Sequence, residues 1–190
     1  MRRHRAGAVA AVLAALAGGG CTTPTGTLVD ATPECQPGRR LAVLAQAVPT
    51  ATYVPCIADD DSPWRFSSLT VEEGRARLSL VYIDPSGRSA RVELTPSCDV
   101  GSLTPQPTAT EPGVQRFRRT STLSPRLAGV DFARFEGGCV TTTFDLPRDA
   151  DASERLLDLD TTVGLYPRER LTRELDREYH LELDGPRDAT

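Results

Sequence analysis

Lysine is missing altogether: all 22 basic residues of the 190-residue chain are arginine. That absence excludes a Ser–Lys nucleophile pair and the β-lactamase and transpeptidase motifs that require the amine. Histidine is nearly as scarce, with only His4 and His180. His180 closes an amphipathic stretch, where it suits a helix C-terminus better than a general base. No G-x-S-x-G elbow occurs, and Ser86-Gly87 sits in a hairpin turn signal. Aromatic residues make up 5% of the chain and Trp64 is the sole tryptophan, so no sugar-stacking platform stands out; Trp64 reads as a core residue. No cysteine pair has C-x-x-C spacing, which leaves zinc without its usual ligands. Asp59-Asp60-Asp61 lacks the alternating spacing and distal glutamate of a calcium-binding loop and reads as a solvated turn. No metal and no cofactor is expected. Glycoside hydrolysis asks only for two carboxylates, but no pair among the 26 acids separates itself from the rest.

What is present begins with Met1–Cys21. Arg2, Arg3 and Arg5 precede a short apolar run, Ala6–Ala17, and small residues lead into Cys21. This is the layout of an export signal, and the apolar run is shorter than the roughly 20 residues that span a bilayer. Two processing sites compete: cleavage after Ala17, giving plain secretion, or cleavage before Cys21. The LAGGGC ending resembles the lipobox of bacterial lipoproteins, with Gly19 and Gly20 fitting and Gly18 standing where leucine is usual. That resemblance implies a diacylated Cys21 at the mature N-terminus, residues 1–20 being the signal peptide. Three arginines and no acid leave with it, so the mature chain has 19 arginines against 26 acids and a formal charge of −7. By overall charge it attracts neither nucleic acid nor anionic lipid.

Compartment then governs the cysteines. Five are present, Cys21, Cys35, Cys56, Cys98 and Cys139, and an odd count outside the cell leaves one thiol over. Lipidating Cys21 makes the remainder even. Four cysteines allow three connectivities; the sequential one, Cys35–Cys56 with Cys98–Cys139, is favoured because it closes the smaller loops. In the chain-entropy model each such loop is worth roughly 3–4 kcal/mol.

Along the mature chain, residues 21–33 are rich in threonine and proline and read as a tether, followed by one α+β domain over 34–190. Gly38–Val48 places Leu41, Leu44 and Val48 at helical spacing, ended by Pro49, with a buried strand as the alternative. Tyr53–Ile57 reads as a strand that Pro55 confines to an edge or bend. A strand from Trp64 towards Val71 turns at Glu73-Gly74. Arg75–Ile83 and Arg88–Thr95 alternate cleanly around Asp84-Pro85-Ser86-Gly87 and predict a hairpin. Its polar face, Arg75, Arg77, Arg91 and Glu93, reads as a solvated surface with cross-strand ion pairs, a basic patch for an anion being the rival reading. Val100–Gly113 is a long Pro/Thr-rich loop. Val114–Thr120, Val130–Glu136 and Cys139–Leu146 continue the β structure, the last two joined at Gly137-Gly138. Asp151–Leu165 is ambiguous between helix and strand. Pro167–Tyr179 is a helix, with Leu171, Leu175 and Tyr179 on one side, and Leu181–Asp184 reads as a short strand.

The fold expected is therefore an antiparallel β-rich sheet or sandwich with a short N-terminal helix, a C-terminal amphipathic helix and two disulfides. The signal with Cys21, together with VPTATYVPC (Val48–Cys56) and CVTTTFD (Cys139–Asp145), resembles the small lipoproteins of actinobacterial cell envelopes. The resemblance implies a palmitate-bearing protein on the extracellular face of the cytoplasmic membrane and no particular activity. The expected function is a non-enzymatic binding module for an envelope protein or small ligand. A carboxylate-dependent hydrolase of envelope polymers and a plain secreted structural protein are the alternatives.

Overall fold

The computed structural model describes residues 26–28, 32–59, 61–84, 88–107, 110–121, 126–147, 149 and 151–185. Nine strands and three helices follow one another among these residues: β1 (Gly26–Leu28), α1 (Arg39–Ala47), β2 (Tyr53–Ile57), β3 (Trp64–Glu72), β4 (Arg75–Tyr82), β5 (Ser89–Thr95), β6 (Gln115–Ser121), β7 (Arg126–Phe135), β8 (Gly138–Pro147), α2 (Ala152–Thr162), β9 (Val163–Pro167) and α3 (Arg168–Tyr179). Seven strands form one antiparallel sheet in the order β1-β3-β4-β5-β8-β7-β6, and β2 pairs with β9 in a second, two-stranded sheet.

The alternation in β4 and β5 decides which way the large sheet faces. Ala76, Leu78 and Leu80 stand opposite Leu94, Val92 and Ala90, and all are buried. Arg77 stands opposite Glu93 on the other face. The buried side continues through Val140, Thr142, Phe144 and Leu146 of β8, the shared face expected from their spacing. Against it pack Leu41, Leu44 and Val48 of α1, Val54 of β2, Leu159 of α2, Tyr166 of β9 and Leu171 and Leu175 of α3, forming the main core. Trp64 is 1% exposed, its Nε1–H donates to the carbonyl of Arg155 at 3.0 Å, and its ring meets Tyr82 edge-on. A buried indole with its polar atom satisfied gains hydrophobic burial at no hydrogen-bond cost. It ties the start of β3 to α2.

Among the described residues the outer face is covered at one end only. There Val100, Phe117, Phe132 and Cys139 make a second small core, with Leu103, Val130 and Cys98 packed on it. Part of the Val100–Gly113 loop is thus held down on the sheet, and Cys98–Cys139 fastens it.

Two stretches differ from expectation. Gly26–Leu28, within the residues read as tether, forms β1 and pairs with Val71–Leu69 at the edge of β3. Thr, Gly and Leu are compatible with a three-residue edge strand, and composition alone does not reveal that an edge is waiting for them. Leu181–Asp184 makes no strand. The chain passes His180, whose φ of 52° puts it in the left-handed region, and Leu181 N–H reaches back to the Leu175 carbonyl. That is the closing turn of a helix, and it sends the following residues past α3, where the Asp184 carbonyl accepts from Arg168 Nη2 at 2.7 Å. The Asp84–Gly87 turn falls largely outside the described residues, although β4 and β5 pair as a hairpin.

Candidate functional site

Where the sheet's inner face reaches β7 and β6, the helical layer no longer covers it closely. A cleft of about 700 Å³ opens between these strands and the α2–β9 corner. Its floor includes Ala133, Val140 and Thr142; Leu157, Thr161, Val163 and Leu165 form one wall, and Gln106, Thr110 and Glu111 of the long loop form part of the rim. Leu157 is 62% exposed at the lip, an apolar side chain with no core to join.

Arg118 is the polar centre of this cleft. Strand pairing sets Arg118 of β6 directly opposite Asp131 of β7. The guanidinium grips that carboxylate with two parallel bonds, Nε to Oδ1 and Nη2 to Oδ2, both 2.6 Å. The same Nη2 reaches Asp160 of α2, at 2.7 and 2.8 Å from its two oxygens. One cation therefore serves two carboxylates and fastens the sheet to α2. The hydrogen bonds it donates to Asp131, and after them those to Asp160, hold the Arg118 guanidinium more firmly charged than usual, although burial opposes this. Burial pushes the Asp131 carboxyl above the usual range; Arg118 pulls it back and the neighbouring Asp160 charge adds to the rise. At the rim Arg116 donates to Glu111 at 2.8 Å, and the Gln106 N–H bonds to the Arg116 carbonyl at 2.7 Å, so β6 also carries the loop.

A second hollow, about 470 Å³, lies between Thr50–Tyr53, Pro112–Gly113, Glu136 and the start of α3. Its walls are tied together: Tyr53 Oη–H donates to the Pro112 carbonyl, Thr52 to the Glu136 carbonyl, and Arg168 Nη1 to the Ala45 carbonyl. Those bonds read as the joinery of three loops rather than as groups awaiting a ligand.

The four cysteines expected to pair do so sequentially. Cys35–Cys56 has Cα atoms 4.9 Å apart and Cys98–Cys139 5.8 Å apart. Gly164 in β9 is required beside the first, because a Cβ there would sit 2.7 Å from Cys35 Sγ. Cys21 lies outside the described residues. Asp59 accepts the Asp61 N–H in a local turn, and both are exposed. His180 is exposed at the end of α3. Arg77 and Arg75 both pair with Glu93, at 3.0 and 3.2 Å, as the cross-strand reading of that face requires. Among the described residues no cluster of three or more His, Cys, Asp or Glu side chains is arranged to hold a metal ion.

Arg118, Asp131 and Asp160 did not stand out from the sequence. A signal existed: in β7 Asp131 shares its face with Ala133 and Phe135, so a carboxylate occupies an apolar register. Such a position calls for a charged partner.

The class these features define is an α+β protein, a β-rich antiparallel sheet with helices on one face and two disulfides. Among the described residues no helix is long and apolar enough to cross a membrane. No family model, curated protein or solved structure matches the chain.

Proposed function

We propose that the chain is a membrane-tethered extracellular binding module of the cell envelope, lipidated on Cys21, with the Arg118 cleft as its ligand site. The observation that carries the reading is the cleft: a large, open, mixed apolar and polar concavity whose two inner carboxylates are both engaged by one guanidinium. Groups held in this way are fixed in place and have their charge neutralised, which suits orienting a ligand better than attacking it. The even cysteine count that remains after assigning Cys21 to the lipid supports the anchor.

A second reading has one observation behind it. Asp131 and Asp160 lie side by side in a concave site, and burial raises Asp131, which is how an acid catalyst of glycosidic hydrolysis is poised. One experiment separates the two. A photo-crosslinking residue at Leu157 in the full-length protein, expressed in its own cell, should give a discrete adduct that Arg118→Met abolishes. Purified protein should release nothing soluble from isolated cell envelopes. Release of fragments that is lost in Asp131→Asn would replace the binding module with the hydrolase.

A further inference from the structure

Among the described residues one face of the sheet is left uncovered over β3–β5, and its charge runs against that of the whole molecule. On the outer side of β3, β4 and β5 stand Arg65, Arg75, Arg77 and Arg91, with Glu72 and Glu93 as the acids among them. Arg65, Arg75 and Arg91 are exposed, and Arg91 makes no hydrogen bond or ion pair with the described residues. Ser79 and Thr143 stand directly opposite Arg91 on either side, so the residues in register with it are hydroxyls. Towards β6 the same side shows Arg119 over the Phe132 ring and Arg134 over the Phe117 ring, both arginines exposed. Asp145 of β8 stands on this side too, paired with Arg126 at 2.6 Å, and the helices are balanced in charge: α1 carries Arg39 and Arg40, α2 carries Glu154, Asp158 and Asp160 against Arg155, and α3 sets four arginines against four acids. The sheet face is thus a local excess of arginine on a mature chain whose formal charge is −7.

The anchor enters at the edge of this basic face. β1 is the edge strand beside β3, and Gly26 pairs with Val71 close to the β3–β4 turn. Cys21 precedes Gly26 by only five residues, which reach roughly 17 Å when fully extended. Seven strands spaced about 4.8 Å apart make the sheet roughly 29 Å broad. A tether of that reach keeps the body within about two Debye lengths of the headgroups, so surface charge acts on which side faces them. Charge selects which side: the arginine face is drawn to the phosphates of an anionic leaflet, and the helices, balanced in charge, are not.

We infer that the arginine face of β3–β5 docks on the anionic phospholipid surface, leaving the Arg118 cleft, on the opposite side of the sheet, open to the exterior. This rests on the lipid anchor proposed above. It also gives the cross-strand arginines a use beyond pairing with Glu93, since two guanidiniums share that one carboxylate and retain donors for phosphate.

The test uses full-length lipidated protein in vesicles that carry a headgroup-attached quencher, with a fluorescent residue at Ser79 on the arginine face or at Thr161 in the cleft. On vesicles containing phosphatidylglycerol, Ser79 should be quenched several-fold more than Thr161. That contrast should shrink on pure phosphatidylcholine, in high salt, and in the Arg75→Gln/Arg77→Gln/Arg91→Gln variant, which still floats with the vesicles. Equal quenching of the two probes on floating protein, or a contrast indifferent to salt and lipid charge, overturns the docking while leaving the anchor intact. Protein that does not float at all overturns the anchor itself. Tight binding of a single-stranded oligonucleotide by the protein at physiological salt would assign the face to a polyanion and likewise overturn it.

Discussion

Replacing Arg118 with methionine keeps an unbranched apolar stem but deletes the one positive charge between Asp131 and Asp160. The two carboxylates are 18% and 38% exposed, so water reaches the cluster without dissolving it. Breaking a fully buried pair costs about 3–5 kcal/mol, and partial solvent screening brings the expected loss here to about 2–3 kcal/mol at neutral pH. Two bare carboxylates, each with an oxygen within 2.8 Å of the one Nη2 they share in the wild type, repel by a similar amount at an effective dielectric of about 20. The pH dependence has a definite sign. Asp131 is raised in the folded protein, so its contribution favours the native state below the unfolded carboxylate range and is lost as pH rises through its folded value. Without Arg118 that rise grows, and the variant weakens further at neutral pH. Near pH 3, below the unfolded carboxylate range and further below the raised folded value of Asp131, the difference from wild type should shrink to under about 1 kcal/mol of lost packing. Urea unfolding followed by far-ultraviolet circular dichroism at both pH values measures this. The double variant Arg118→Met/Asp160→Asn should recover a large part of the neutral-pH loss. A loss that is independent of pH, or a double variant no better than the single, would refute the shared-cation account.

Other outcomes follow from the same structure. Removing Cys98–Cys139, which closes 41 residues, should cost slightly more than removing Cys35–Cys56, which closes 21, about 4 against about 3 kcal/mol in paired alanine variants unfolded in urea; the reverse order would show that the smaller outer core contributes less than the loop length implies. Gly137→Ala should be among the most damaging small substitutions, since Gly137 has φ of +70° and a Cβ would lie 1.8 Å from the Thr50 carbonyl oxygen; a loss of less than about 1 kcal/mol would contradict that contact. Tyr166, whose phenol is pushed up to about 12 by burial and by the Glu174 carboxylate it donates to, should ionise late in an ultraviolet titration, and Tyr166→Phe should remove that late step.

Much of the sheet was legible because its strands alternate. Ala76, Leu78 and Leu80 against Arg75, Arg77 and Ser79 leave one register for β4, and β5 repeats the pattern. The disulfides were legible through parity and loop length once Cys21 was set aside. The stretch after Asp151 was not, for a physical reason: it holds both structures. Leu156 and Leu159 suit a helix, and Val163–Pro167 then turns into β9, which pairs with β2 more than a hundred residues earlier. Local spacing carries no trace of so distant a partner. The cleft was hidden for a related reason. Arg118, Asp131 and Asp160 are ordinary in a chain with 22 arginines and 26 acids, and only the β6–β7 register and the seating of α2 bring them within 2.8 Å.

The proposed anchor at Cys21 bears on function, location and the orientation of the arginine face together, and the mass of the mature N-terminal peptide tests it most directly. Protein extracted from the membrane fraction of its own cell, digested and measured intact, should begin at Cys21 carrying a diacylglyceryl modification, while the other four cysteines remain in disulfides. A peptide beginning at Gly18, without lipid and recovered from the medium, would contradict the account.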